Sequence, residues 1–586
     1  MDNRHNNTDP VDLLAFFNDP ATPRQRHYET VRAVIKDHLS LEEAAQRFGY
    51  TPATVKSLVY KARNGTLALF PEVRHGPKKR RTSRDVQEKI IALRKERLSS
   101  PDIHTRLAKE GIAVSTRTIE RILSDHGLKR LKRRTDRERG VTRRGKIIPQ
   151  RAEGIDISSL APFRVDCPSI GVFFFLPYLI ESGILDVVKR CRLPQSGDIA
   201  AEQAALSMLL LKLIGNERLS HMDGYDHEPG LGLFAGLTVL PKSTYVCSYS
   251  CRTSEAMLYD FQKEVIKQLQ RVYPTLYNSP VINLDFHSIP HFGTQAEMER
   301  VWCGARGKAM RGANTVLAQD GESNVILYTR ADILRKEEAR EIKRFVAYWR
   351  GLRGALDETL VFDGKFTSYP VLDDLTDEGV KFITLQRRYA SLLEKTRTIP
   401  KEQWKRVRIP IPRRKYGIVS VHESEIRLSK CHNLFRRIIV KDHGRKHPTY
   451  IITNNHDLPL EKILEVYAKR WHIENKIAEL ISFFNLNALS SPLMIRIHFD
   501  ILWTMIADTL YHRLAADLRR FEHHRAPYIF RRFIDVPGHI EYDGARFRIK
   551  IRARAHTPIL KGVEKLTHPF PVPWLGDKKV EIVWTP

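Results

Sequence analysis

Hydrophobic and polar positions alternate with two different periods along this chain. Between residues 24 and 65 apolar side chains recur every three to four residues in three short runs, the period of helices with one buried face. Tyr28, Val31, Ile35 and Leu39 form the first stripe. Leu41, Ala44, Ala45 and Phe48 form the second, which opens on the capping box Ser40-Leu-Glu-Glu43 and closes at Gly49. A third begins at Thr51-Pro52 with Val55, Leu58 and Val59 inward, leaving Thr54, Lys56, Ser57, Tyr60, Lys61 and Arg63 outward. Three such helices are the layout of a helix-turn-helix unit. A second set is expected over 85–128: Val86, Ile90 and Leu93 mark one helix, Ser100-Pro101 starts another, and Ser115–Ser124 forms the third, with Arg117 and Arg121 one turn apart on its exposed side. Residues 160–275 also read as helical, including Ala200–Ile214.

The period then changes to two. Strands are expected at 281–289, 314–319 and 324–329, the last two about the turn Asp320-Gly321. A helix at 335–351, a strand at 359–363, a helix at 368–377 and a strand at 380–386 follow. This order predicts an α/β domain with a mixed sheet. Residues 400–455 carry strand-like segments at Val407–Ile411, Ile418–Val421, Arg436–Val440 and Thr449–Thr453, too long a stretch for a loop, so they read as an inserted β domain. Leu493–Leu518 is a strongly apolar helix. Beyond it, Ile540, Tyr542, Phe547, Ile549 and Ile551 alternate about Asp543-Gly544, a hairpin signal.

Three carboxylates stand out against this pattern. Asp285 lies inside an apolar strand, where an unpaired charge is costly, and Asp363 ends the strand Thr359–Asp363. Glu474 falls in Tyr467-Ala-Lys-Arg470-Trp471-His-Ile-Glu474, whose spacings of three and four put Tyr467, Arg470 and Glu474, with Trp471 beside them, on one helix face. An acid, a guanidinium that forks onto phosphate and a ring that stacks on a base suit a phosphodiester substrate. Hard carboxylate oxygens suit Mg²⁺, with Mn²⁺ as substitute. His287 and His291 offer an Asp-His-His metal site as a weaker reading. Asp320 and Asp332 compete for the acidic positions, and Arg311 and Lys365 are further candidate phosphate contacts.

These residues resemble a DDE transposase of bacterial insertion sequences. The similar branch has an RNase H-like core interrupted by β-strands, and its last helix bears Tyr, Arg, Glu and Lys with two, three and six residues between them. Tyr467, Arg470 and Glu474 match; Ile481 stands where that branch has lysine, and Lys476 is on another face. The resemblance implies a triad of Asp285, Asp363 and Glu474 as catalytic metal ligands, with Tyr467, Arg470 and Trp471 on end DNA. It also implies strand cleavage and strand transfer on double-stranded DNA, both transposon ends and target, by a homo-oligomer on paired ends. The helical head, through Lys56, Lys61, Arg63, Arg117 and Arg121, is then the inverted-repeat binder. A retroviral-type integrase is one alternative, its third acid being Glu394 or Glu402. A catalytically inactive DNA-binding regulator is another.

The expected organisation is a helix-turn-helix unit at 1–75, then a basic linker, second helix-turn-helix and basic linker at 76–146. A helical domain follows at 147–278, then the first part of an RNase H-like core at 279–388, an inserted β domain at 389–456, the last core helices at 457–520 and a C-terminal β-rich segment at 521–586. Charge supports a nucleic-acid partner: 97 Lys and Arg against 68 Asp and Glu give +29. Residues 1–150 hold about 33 basic and 18 acidic side chains, roughly half of the excess. The basic runs Gly76–Arg84 and Lys129–Lys146 extend it. Six cysteines without a C-x-x-C pair favour a reducing compartment. The longest greasy run, Val172–Ile180, is interrupted by Pro177 and reads as core. The expected location is the cytoplasm, at the nucleoid, away from membranes.

Overall fold

A computed structural model describes residues 19–20, 22–70, 82–128, 131, 151–216, 219–225, 227–292, 298–303, 307–331, 333–366, 368–409, 411, 417–488 and 493–586. Most of the two basic runs, and Asp332, lie outside them. Two compact units divide the chain, Met1–Lys146 and Ile147–Pro586.

The first unit holds two helical trios. In helix Pro23–Ile35 the buried face is Glu29, Thr30, Val31 and Ala33, whereas Ile35 is exposed. The stripe is turned from its expected place because Arg32 holds the Glu29 carboxylate at 2.8 Å, which lets an acid occupy an inside position. Leu41–Phe48 opens on the expected capping box, the Glu43 amide donating to Ser40 Oγ and the Ser40 amide to Glu43 Oε2. Gly49 ends it at φ +68, a conformation glycine adopts without strain. Helix Pro52–Arg63 buries Val55, Leu58 and Val59 and leaves Thr54, Lys56, Ser57, Tyr60, Lys61 and Arg63 exposed. Arg84–Lys95, Ser100–Lys109 and Thr116–Asp125 close over Ile90, Ile103, Leu107, Ile119 and Ile122, with Arg117 and Arg121 outside.

The second unit is mixed α/β. Strand β1 (Phe163–Cys167) opens it, inside a stretch expected to be helical throughout. Helices Ala201–Leu213 and Glu255–Val272 follow. A ten-stranded sheet is then built from β2 (Val281–Pro290), β3 (Arg300–Cys303), β4 (Lys308–Asp320), β5 (Ile326–Arg330), β6 (Thr359–Phe362), β7 (Phe382–Leu385), β8 (Lys405–Arg408), β9 (Ile418–Arg427), β10 (Leu434–Lys441) and β11 (Thr449–Thr453). Its order is β3-β4-β2-β6-β7-β11-β10-β9-β8, with β5 also on β4. Antiparallel neighbours β4 and β2 give way to the parallel run β2, β6, β7, which helices Glu338–Arg353 and Tyr369–Asp377 connect as parallel strands require.

Residues 405–453 form the strands expected of an inserted β domain but no sheet of their own. β11 pairs antiparallel with β7, Ile451 opposite Leu385, and β10, β9 and β8 carry the same sheet outward. An apolar strand such as β7 would otherwise present an unpaired edge. A second sheet, β1-β12-β13-β15-β14, joins β1 to the C-terminal strands β12 (Gly538–Tyr542), β13 (Arg546–Arg552), β14 (Phe570–Val572) and β15 (Lys578–Thr585). The β12–β13 hairpin turns at Asp543-Gly544, where Gly544 has φ +91. Among the described residues no single helix is long and apolar enough to cross a membrane. The bent pair Ile170–Ser182 and Ile184–Arg190 passes by length and composition, but Val172, Phe173, Phe174, Phe175 and Leu176 are wholly buried.

Candidate active site

Register brings the two aspartates side by side. Leu284 of β2 is opposite Phe362 of the parallel strand β6, so Asp285 and Asp363, the next residue of each, stand one strand spacing apart, about 4.8 Å. They share a sheet face with Val361 and Ile383, which helix Leu460–Lys469 covers with Ile463, Leu464 and Val466. Asp285 Oδ1 accepts from the Phe286 amide at 2.9 Å, and Asp363 Oδ1 accepts from the Lys365 amide in the turn that follows β6. The Asp285 side chain is only 15% exposed. Burial, with Asp363 and Glu474 adding like charge, pushes its carboxyl up to about 6 against the pull of Arg470.

The segment bearing Glu474 is not one helix, as its spacing predicts, but two. Leu460–Lys469 ends and Trp471–Ser482 begins on either side of Arg470. The amides of Arg470 and Ile473 bond three residues back, to Tyr467 and Arg470, so the turn is locally tightened. Arg470 keeps helical angles there, φ −52 and ψ −28. The three expected partners still meet: Arg470 Nη1 lies 3.2 Å from Asp285 Oδ2 and Nη2 2.7 Å from Glu474 Oε1. Tyr467 is beside them, its hydroxyl pushed up by burial and pulled down by Arg470. Arg470 is 13% exposed and Glu474 58%, so the guanidinium is enclosed while the glutamate faces the open side. Trp471 is 48% exposed rather than a core tryptophan.

Other candidates have local explanations. Lys476 is buried and donates to Glu479, Asp508 and His512 at 3.1, 2.9 and 2.9 Å, which removes it as a stand-in for the missing lysine. Ile481 packs against the hydrophobic core. His287 Nε2 is 2.7 Å from Asn487 Oδ1 and does not join a metal group with His291. Asp320 accepts from the amides of Ser279, Glu322 and Ser323 and caps its turn. Glu394 pairs with Arg397 at the surface and Glu402 is exposed; neither is among the charges acting on Asp285. Arg387, which carries no sequence signal of its own, reaches the Gly364 carbonyl at 3.5 Å and adds positive charge beside the turn that follows β6. Among the described residues no three Asp, Glu, His or Cys side chains are gathered in metal-holding geometry. Arg470 occupies the space between two of the acids instead.

A mixed-sheet domain with one acid within β2, a second just past the end of the parallel strand β6, and an arginine linking the first to a helical glutamate, is the class that this fold and site define. Residues 277–510 match the family of the transposase DDE domain. Among solved structures, the piggyBac transposase synaptic complex with hairpin DNA is similar at 10% identity, covering 65% of this chain and 81% of that one with a TM-score of 0.35. The Mos1 strand transfer complex is similar at 10% identity over 63% and 79%, TM-score 0.13. The catalytic domain of human Endonuclease V is similar at 12% identity over 39% and 99%, TM-score 0.16. No curated protein matches the sequence.

Proposed function

We propose that this chain is a DNA transposase that binds inverted-repeat ends and cuts and rejoins DNA strands by metal-dependent phosphoryl transfer, with an RNase H-like core. The observation that carries the reading is Arg470 joining Asp285 to Glu474, 185 and four residues away in sequence, inside the transposase DDE segment. Asp285, Asp363 and Glu474 are the proposed ligands. The donor set fits a hard divalent cation: all oxygen, with one enclosed carboxylate whose ionisation its surroundings resist. When bound, Mg²⁺ or Mn²⁺ would lower the pKa of water or a DNA 3′-hydroxyl and stabilise the attacking and leaving oxygens.

The chain's own residues do the remaining work. β2 and β6 hold the two aspartates side by side in fixed register, and Arg470 would release Asp285 for a cation to sit among the acids. Arg470 has five N–H donors, enough to keep Glu474 while forking onto the phosphate beside the scissile bond. Trp471, already exposed, would stack on an unpaired base. The two helical trios, read as helix-turn-helix units, would hold the end through Lys56, Lys61, Arg63, Arg117 and Arg121, and the paired ends imply a homo-oligomer in the cytoplasm at the nucleoid. An integrase-like third acid at Glu394 or Glu402 has no support from their surface positions. The experiment is end cleavage: the purified chain, Mg²⁺ and a duplex carrying the flanking inverted repeat should yield a 3′-hydroxyl nick at the repeat boundary. Absence of any nick with Mg²⁺ or Mn²⁺ would leave only a DNA-binding protein.

A further inference from the structure

Strand β4 begins at Lys308 rather than at the expected Asn314, and its first residues run past the end of β2 to pair with β3 on the other edge. The resulting hairpin has two unlike sides. Val301 and Cys303 are buried on one, Gly312 leaves no room for a Cβ against the Ile289 carbonyl and Val301, and the Gly312 amide donates to the Glu299 carbonyl. The other side carries Arg300 opposite Arg311 and Trp302 opposite Ala309. Arg300, Ala309 and Arg311 are exposed there, and Trp302 is 61% exposed. The small alanine opposite leaves the indole uncovered.

The register says where this side looks. Asp285 is opposite Leu317, and counting by twos along β4 reaches Thr315, Ala313, Arg311 and Ala309 on the same face. Arg300, Trp302 and Arg311 thus extend the face that bears Asp285 and Asp363, toward the C-terminal end of β2. Six residues separate Arg311 from Leu317, roughly 20 Å at about 3.4 Å per residue. A duplex rising about 3.4 Å per nucleotide of each strand covers that in roughly six base pairs.

We propose that this hairpin is a second DNA grip: Arg300 and Arg311 hold backbone phosphates about six base pairs from the scissile bond, and Trp302 lies against the sugars and bases there. The inference rests on the transposase reading and adds to it a contact outside the head and the triad. A β ribbon anchored on its inner side presents guanidinium and indole from paired backbone, which keeps the entropic cost of binding low.

The test uses the full-length chain and end duplexes with 5-iodouridine at successive positions, irradiated to crosslink a touching aromatic ring. A crosslink centred about six base pairs from the nick, lost in Trp302→Ala and kept in Trp302→Phe, is expected. Arg300→Ala and Arg311→Ala should each lower the slope of log affinity against log salt by about one while leaving the melting temperature and the nick position unchanged. Unchanged slopes and crosslinks in variants of a parent that binds and nicks the end would overturn the grip and leave the transposase reading standing. Loss of self-association in Trp302→Ala, with DNA contacts intact, would assign the face to a second copy instead. A parent that neither binds nor nicks the end would remove both.

Discussion

Arg470 is enclosed with two carboxylates on its guanidinium, so its replacement acts on charge and on the phosphate it would hold. Charge-assisted contacts of this kind contribute about 1.5–3 kcal/mol. Arg470→Ala should therefore slow single-turnover end cleavage by roughly 10- to 100-fold, and Arg470→Lys should regain only part, because an ammonium lacks the planar fork. Cleavage by Arg470→Ala at the parental rate would remove its phosphate role and cast doubt on Glu474. Asp285 and Asp363 were legible as residues because a charge within or ending an apolar strand needs a reason. The role of Arg470 as their present counter-charge was not legible, since it depends on a contact across 185 residues.

Among elements, those that local patterning specifies formed as expected: the capping box at Ser40, strand β2, the β12–β13 turn. What escaped the sequence was pairing. Nothing local says that β11 lies against β7, or that β1 joins strands nearly 400 residues later, because strand partners are chosen by long-range packing. The break at Arg470 escaped too: three- and four-residue spacing survives a tightened turn, so the pattern reads as one helix. The helix Trp471–Ser482 is fixed to Met494–Asp517 by the buried ion cluster of Lys476, Glu479 and Asp508, each at most 4% exposed. Removing one partner of such a cluster strands the others. Lys476→Ala should cost about 3–5 kcal/mol in denaturant unfolding; a loss under 1 kcal/mol would mean water enters and compensates.

For the whole molecule, charge and pH set the conditions. A fragment of residues 1–146, compact by itself, should bind inverted-repeat duplex with affinity falling steeply as salt rises; equal affinity for random duplex would reduce Lys56, Arg117 and Arg121 to phosphate contacts. Burial pushes His498 down to about 4 and His512 to about 3 from an ordinary 6.5. Both are neutral in the fold and take up protons when it opens, so stability should fall as pH drops below about 6.5 and continue falling toward those lower values. Substituting Phe at either position should flatten that decline in pH-dependent melting. Whether the three acids hold the metal is decided by one comparison. Asp285→Asn, Asp363→Asn and Glu474→Gln are each measured beside the parent for Mg²⁺-dependent nicking and for binding of the same end duplex. Binding close to the parental value and no detectable nick are expected in all three. Near-parental nicking by any one of them would contradict the triad at that residue.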